Sequence, residues 1–129
     1  MARLLLDTPA LLWFAAGDRA LSRRARAAIE DSDNDVLVSA ASAWEIATKH
    51  RLGKLGGAGP LAADFERTVA ALSFTPLDIA ARHAAAAGAF TAAHRDPFDR
   101  VLAAQALIEG LAIISSDAAL DLFGVARVW

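Results

Sequence analysis

The sequence contains no cysteine, which excludes disulfide bonds and thiolate metal sites. Long apolar runs are also absent. The apolar stretch from Leu4 to Ala16 is interrupted by Asp7 and Pro9 and is too short to cross a bilayer. The first three residues are a weak start for a signal peptide. These absences predict a cytoplasmic protein that does not associate with membranes.

The chain also lacks a large excess of positive charge. It carries 13 basic and 15 acidic side chains, for a net charge of −2. Because proteins that coat duplex nucleic acid are usually strongly basic, any contact with nucleic acid is expected to be local. No Gly-x-Gly-x-x-Gly segment follows a strand, which argues against a dinucleotide-binding fold.

Apolar side chains, by contrast, are abundant and make up 56% of the 129 residues. A chain of this length suits one domain, over residues 1–129, and can bury a core of its own. Much of the apolar fraction is alanine, which favours packed helices. The excess leaves apolar surface, so we expect oligomerisation or a protein partner.

Short apolar runs alternate with helical patterns along the chain, which predicts an α/β fold with a parallel sheet. Pro76 places one strand at an edge of that sheet. The predicted strands are Leu4–Leu6, Val36–Val38, Phe74–Leu77, Ala112–Ile114 and Val125–Val128. The predicted helices are Pro9–Ala16, a helix from Ser22 to about Asp31, Ala40–Arg51, Ala62–Leu72, Ile79–Thr91, Pro97–Glu109 and Ala118–Phe123, with residues 56–60 as a glycine-rich surface loop.

Two acids stand at the ends of predicted strands. Asp7 directly follows the first apolar run, and Asp117 closes the segment after Ala112–Ile114. Ligands of open parallel sheets bind outside the carboxyl ends of the strands, so these two positions suit a binding site. Each acid also suits an ordinary role, as a turn residue beside the next helix or as a helix N-cap.

Asp99 lies on an apolar stripe of its predicted helix. The residues three, four and seven positions further on are Leu102, Ala103 and Ala106, so no basic partner shares that face. An unpaired buried carboxylate is costly, and a bound metal ion would remove the cost. The alternative is a first-turn acid that interacts with the helix dipole.

Two further acids have competing interpretations. Glu45 follows Trp44 in the helix after the second strand, and it either joins a site or forms a surface ion pair with Lys49. Asp96 precedes Pro97 and suits a helix N-cap, with a metal or water contact as the alternative.

Carboxylates that converge in one cleft repel each other, so some protonate or a cation gathers them. This set offers oxygen ligands without cysteine or paired histidines, which favours Mg²⁺ or Mn²⁺ over zinc. Such a pocket suits hydrolysis of a phosphodiester.

Four segments that contain these acids resemble the PIN-domain family, in particular its VapC-type toxin ribonucleases. Each segment is short, but all four in this order make a specific signal that covers essentially the whole chain. The segments are Leu4-Leu5-Leu6-Asp7-Thr8, Val38-Ser39-Ala40-Ala41-Ser42-Ala43-Trp44-Glu45-Ile46-Ala47, His94-Arg95-Asp96-Pro97-Phe98-Asp99-Arg100 continuing through Ala103-Ala104-Gln105-Ala106, and Ile113-Ile114-Ser115-Ser116-Asp117.

The resemblance implies a three-layer α/β/α sandwich around a four- to five-stranded, mainly parallel sheet. It implies a Mg²⁺- or Mn²⁺-dependent endoribonuclease, the toxin of a type II toxin–antitoxin pair. The implied partners are an RNA substrate, a cognate VapB-like antitoxin that inhibits the enzyme, and a second copy in a homodimer, with heterotetramers or larger assemblies once antitoxin is bound.

The resemblance also assigns roles residue by residue. The catalytic acids would be Asp7, Glu45, Asp99 and Asp117. Asp96 would join them as a metal ligand. Thr8 and Ser116 would hydrogen-bond the carboxylates or a bound water.

Basic side chains near these segments are candidates for binding RNA phosphates, with solvated helix surface as the alternative. They are Lys49, Arg51, Lys54 and Arg100, together with a second cluster at Arg19, Arg23, Arg24 and Arg26. His94 is interpreted as a loop residue rather than a general acid.

Two other functions remain open. One is a PIN-like protein-binding module without nuclease activity. The other is a metal-dependent phosphatase with an aspartate nucleophile after the first strand, although such enzymes usually need a second aspartate where this chain has Pro9.

Overall fold

Five parallel strands form the central sheet of the computed structural model, which describes residues 1–56 and 58–129. The order of the strands across the sheet is β3-β2-β1-β4-β5, and every neighbouring pair is parallel. The strands are β1 (Arg3–Leu6), β2 (Asp35–Ser39), β3 (Thr75–Leu77), β4 (Ala112–Ile114) and β5 (Arg127–Val128).

Helices connect the strands and cover both faces of the sheet. They are α1 (Thr8–Ala16), α2 (Arg23–Glu30), α3 (Ala40–Arg51), α4 (Gly59–Ala63), α5 (Phe65–Ala71), α6 (Ala81–Ala89) and α7 (Pro97–Glu109), followed by a 3₁₀ helix (Ala118–Phe123). Among the described residues, no helix combines the length and apolarity that crossing a membrane requires.

Successive residues of β1 point to opposite faces of the sheet, because side chains alternate along a strand. Leu4 and Leu6 pack into a core with residues of α1, α2 and α5, whereas Leu5 packs on the other face with Leu102 and Ala106 of α7. All three leucines of β1 are buried. The two cores make a three-layer α/β/α sandwich, which confirms the predicted fold class and the parallel sheet.

The predicted helix from Ala62 to Leu72 was wrong, since the structure divides it into α4 and α5 at Asp64. Asp64 has a non-helical backbone, and its carboxylate accepts a hydrogen bond from the Arg67 N–H at 3.2 Å. Aspartate competes with the helical backbone in this way and therefore favours caps over helix interiors. Pro60, in the first turn of α4, starts the earlier helix ahead of the prediction.

The other differences concern the ends of elements. The predicted loop at residues 56–60 ends earlier, because α4 begins at Gly59, and the part of that prediction at Gly57 lies outside the described residues. The last strand is confined to Arg127–Val128. β3 lies at an edge of the sheet, as Pro76 predicted.

The strand order fixes where a site can form. β1 is central and lies between β2 and β4. The connection after β1 runs to β2 on one side, whereas the connection after β4 runs to β5 on the other side. Ligands of such sheets bind at the carboxyl ends of the strands beside this reversal. The residues that follow β1 and β4, including Asp7 and Asp117, are therefore brought to one edge.

Candidate metal centre

Asp7 is buried where β1 ends and α1 begins. Its side chain accepts a hydrogen bond from the Ala10 N–H at 2.8 Å, which makes it the N-cap of α1. Only 4% of the residue is exposed. The capping role that the sequence left open is therefore real, but it accounts for only one of the two carboxylate oxygens.

Burial raises the pKa of Asp7 from its ordinary value of 3.8 to about 6. Loss of hydration is the largest cause, because it penalises the charged form. Hydrogen bonds from Ser115 and from the Ala10 N–H act in the opposite direction, and the charges of Asp99 and Glu45 add to the rise. A nearby cation would therefore stabilise the charged form of this buried acid.

Asp99, at the start of α7, is held by a histidine from the preceding loop. His94 Nε2 lies 2.8 Å from Asp99 Oδ2. Loss of hydration raises the pKa of Asp99, the His94 contact lowers it, and the charges of Asp96 and Glu45 raise it. The sequence predicted no basic partner on the helix face of Asp99, and the partner that the structure shows comes from the loop before the helix.

Asp117 completes a compact group with these two residues. One ligand atom each from His94, Asp99 and Asp117 lies within 4.8 Å of the other two. Asp117 also caps the 3₁₀ helix, since its Oδ1 accepts from the Ala119 N–H at 2.9 Å. As with Asp7, capping fixes the carboxylate in place and uses only one of its two oxygens.

Glu45 is buried on α3 and forms an ion pair with Lys49, one turn further along the helix. The surface pair considered from the sequence thus exists, but its acid is only 6% exposed at the side chain. Contact with Glu45 is the main cause of the raised pKa of Lys49, and the charges of Asp96 and Asp99 contribute. Lys49 therefore neutralises part of the acidic cluster.

Asp96 is the N-cap of α7. Its Oδ1 accepts from the Phe98 N–H at 2.9 Å and from the Asp99 N–H at 3.4 Å. Its charge contributes to the raised pKa of both Asp99 and Lys49. The capping interpretation is confirmed, and Asp96 stands at the border of the cluster.

The structure therefore brings the predicted acids together. The charges of Asp99 and Glu45 raise the pKa of Asp7, the charge of Glu45 raises that of Asp99, and Asp99 lies in one group with His94 and Asp117. The sequence interpretation missed His94 as a member. The signal that could have found it is its position five residues before Asp99, in a loop that turns back onto the start of α7.

The two hydroxyl residues expected beside the acids are placed differently. Thr8 Oγ1 donates to Ser42 Oγ at 2.9 Å, so this hydroxyl links α1 to α3 instead of contacting a carboxylate. Ser116 is exposed, and no hydrogen bond among the described residues involves its side chain. The serine next to the acids is Ser115, which is buried, stabilises the ionised form of Asp7 and accepts from the Asp117 N–H at 3.0 Å.

Arg100 was expected to bind RNA, and the structure gives it another role. Its guanidinium donates to four backbone carbonyls, one in the last turn of α6 and three in the segment between α6 and α7. Those donors are consequently not available for phosphates. The accepting carbonyls belong to Ala87, Phe90, Ala92 and His94, at 2.9, 2.6, 3.2 and 2.8 Å.

Replacing Arg100 by lysine is expected to lower the free energy of unfolding by about 1–2 kcal/mol, because an ammonium cannot reproduce the planar fork of donors. The loop that carries His94 should also loosen. Hydrogen exchange at residues 90–95, with a urea melt, would measure both effects. Unchanged exchange in this segment would show that the clamp does not hold the loop.

Of the other basic candidates, Arg51 and Lys54 are exposed at the end of α3 and in the turn after it. The cluster at Arg19, Arg23, Arg24 and Arg26 lies elsewhere. α1 starts at the acidic edge of the sheet and runs away from it for nine residues, or roughly 14 Å. The cluster follows the far end of that helix, which favours the alternative of solvated helix surface for these four arginines.

The residues present fit a hard divalent cation. Carboxylate oxygens converge with one imidazole nitrogen, and Asp7 is a buried acid with a raised pKa. Oxygen-rich donors are those that Mg²⁺ and Mn²⁺ prefer. Because Lys49 offsets only part of the negative charge of these acids, a cation would relieve the repulsion among them.

The fold and the site together define a class of protein. It is a parallel α/β sandwich with acids gathered at the carboxyl ends of its central strands. The sequence profile of the PIN domain matches residues 4–125. The chain therefore belongs to the PIN domain family.

One curated relative is Ribonuclease VapC16 of Mycobacterium tuberculosis. It is 42% identical to this chain over 60 residues, which are 46% of this chain and 43% of that protein. The match thus spans less than half the length of the relative.

Solved structures share the fold over nearly the whole chain. VapBC2 of Rickettsia felis, bound to a DNA fragment from its promoter, has a TM-score of 0.67 at 10% identity, over 97% of this chain and 96% of that chain. FitAcB of Neisseria gonorrhoeae has a TM-score of 0.66 at 22% identity, over 96% of this chain and 95% of that chain. At these identities the similarity concerns the fold alone.

Proposed function

We propose that this protein is a metal-dependent endoribonuclease that acts as the toxin of a toxin–antitoxin pair. The observation that carries the proposal is the convergence of four acids and His94 at the carboxyl ends of the central strands. Membership of the PIN domain family and the similarity to a protein named a ribonuclease support the same activity.

In this proposal Asp7, Glu45, Asp99 and Asp117 hold Mg²⁺ or Mn²⁺, with Asp96 and His94 at the border of the site. Such an ion polarises a phosphodiester and lowers the pKa of the attacking water. The protein supplies fixed positions for the ligands. The N-caps at Asp7 and Asp117 and the His94–Asp99 contact orient three carboxylates before the substrate arrives.

The proposal predicts that RNA cleavage depends on a divalent cation. Chelation should abolish cleavage of a structured RNA, and Mg²⁺ or Mn²⁺ should restore it, because the acids repel one another and cannot act without a cation. End-labelled RNA resolved on a gel measures the effect. Asp7→Asn, purified in the same way, is the control for contaminating nuclease.

Three outcomes would contradict this proposal. Equal cleavage by the native protein and Asp7→Asn would assign the activity to a contaminant. Hydrolysis of p-nitrophenyl phosphate without RNA cleavage would favour the phosphatase. No cleavage of any RNA, with growth unaffected by expression, would favour the protein-binding module.

We further propose that a cognate antitoxin and a second copy of the chain cover its apolar surface. Several large apolar side chains are exposed on the described part of the chain, among them Leu52, Ile79 and Leu122. Expression should arrest growth, and co-expression of a short neighbouring reading frame should relieve the arrest. A monomer by sedimentation, with no rescue by any neighbouring gene, would contradict both parts.

A further inference from the structure

Two aromatic side chains lie directly beside the acidic cluster. Trp44 precedes Glu45 on α3, and Phe98 precedes Asp99 on α7. Their ring centroids are 4.7 Å apart and their planes meet at 75°. The pair therefore bridges the two helices that carry half of the acidic quartet.

The pair leaves aromatic surface open to solvent. Trp44 is 58% exposed, although tryptophan is usually largely buried. In an edge-on contact the edge of one ring covers one face of the other, so each ring keeps at least one face free of its partner. A single exposed apolar residue needs no explanation, and the position of this one beside the proposed reaction site is what makes it informative.

The negative charge of the cluster opposes RNA binding, and an aromatic face can supply affinity that does not depend on charge. The protein has a net charge of −2 and gathers acids where a polyanion must enter. Phosphate contacts alone are therefore a weak source of affinity, since Lys49, a cation on which the charges of Asp96 and Asp99 act, is paired with Glu45. Stacking on an aromatic ring does not depend on charge, and every nucleobase has a π face.

We propose that Trp44, supported by Phe98, is a stacking platform for an unpaired nucleobase next to the scissile phosphate, an inference that rests on the proposed ribonuclease function. The base must leave its helical stack to reach the ring, so the substrate class is single-stranded or looped RNA rather than duplex. Arg51, seven residues or about two turns beyond Trp44 on α3, lies on the same helix face and can contact the adjoining backbone.

The test compares Trp44→Ala, Trp44→Phe and Leu107→Ala. Leu107 is a matched control because it is 47% exposed and lies eight residues, roughly 12 Å, beyond Asp99 on α7. With a short single-stranded RNA, Trp44→Ala should raise KM about 5- to 150-fold, the effect of one stacked base, with kcat within about twofold. Trp44→Phe should recover most of the loss, and Leu107→Ala should behave like the native protein.

A second measurement separates this proposal from the ribonuclease assignment. Fluorescence anisotropy of the same RNA, labelled and mixed with protein in chelator, reports binding without cleavage. Trp44→Ala should raise Kd by a similar factor. An RNA series with one abasic nucleotide at each position should reveal one position whose loss weakens binding to the native protein and not to Trp44→Ala.

Equal KM and Kd for Trp44→Ala and the native protein would overturn the platform even if RNA is cleaved. A change in oligomeric state with unaltered RNA binding would also overturn it, because the surface would then be a protein contact. Failure of the ribonuclease assignment would look different: no metal-dependent cleavage by the native protein. Thermal melts of all variants confirm that they are folded.

Discussion

Asp99→Asn should lower the rate of RNA cleavage by more than about 100-fold, since loss of a group that merely supports a metal ligand already costs about 10–100-fold. Asp99 is the hub of the cluster: it contacts His94, lies in one group with Asp117, and its pKa responds to the charges of Asp96 and Glu45. Asparagine preserves the size of the side chain and removes the charge that a cation needs. Initial rates at saturating Mn²⁺ measure the effect.

A graded series makes this prediction specific. His94→Ala removes a positioning partner of Asp99 and should cost roughly 10–100-fold. Glu66→Gln, which removes an exposed acid on α5, should leave the rate unchanged. Calorimetric titration of Mn²⁺ should show the same order of affinity. A rate for Asp99→Asn close to that of Glu66→Gln would remove Asp99 from the site.

The sequence predicted the sheet well because buried parallel strands have a simple signature. Apolar runs such as Leu4–Leu6 and Ala112–Ile114 have no other place in a protein of this size than the inside of a sheet covered on both faces. A proline in the run at Thr75–Leu77 predicted an edge strand, since it lacks an N–H donor for a neighbour. The break at Asp64 was missed because a local cap outweighed the helical pattern there.

The acids of the candidate site were predictable for a related reason. The carboxyl ends of parallel strands meet at one edge, so Asp7 and Asp117 could be placed together without knowing any side-chain contact. Capping and convergence also proved compatible, since one oxygen of each carboxylate accepts from a helix N-terminus. The alternatives weighed from the sequence were thus parts of one arrangement.

What the sequence could not give is the path of the loop before α7. His94 reaches Asp99 because four carbonyls, from the last turn of α6 and the segment after it, converge on the Arg100 guanidinium. That arrangement depends on the backbone conformation of several residues at once, and the spacing of His94 and Asp99 alone does not fix it. The same limit explains why Ser115, and not Ser116, faces Asp7.

Asp7→Asn should stabilise the metal-free protein while it abolishes the proposed RNA cleavage. Because the pKa of Asp7 rises from 3.8 to about 6 on folding, its charge costs the folded state roughly 3 kcal/mol above pH 6. Asparagine removes that cost and keeps the N-cap of α1, because it caps helices as well as aspartate does. Urea melts in chelator at pH 7.5 should show the gain.

The ionisation of Asp7 makes the stability of the native protein depend on pH. Between pH 3.8 and about 6 the folded protein binds more protons at Asp7 than the unfolded chain, so native stability falls as the pH rises through this window. The difference between Asp7→Asn and the native protein should grow from near zero below pH 4 to its full value above pH 6. Mn²⁺ at pH 7.5 should reverse the order of stability by stabilising the native protein alone, because ligands stabilise the state that binds them.

Asp7→Ala also loses the N-cap of α1, so its gain in the free energy of unfolding should be smaller than that of Asp7→Asn by about 1 kcal/mol. A native protein that is the more stable of the two at pH 7.5 in chelator would mean that the Asp7 charge is already compensated within the fold, and Asp7 would then have no need of a cation.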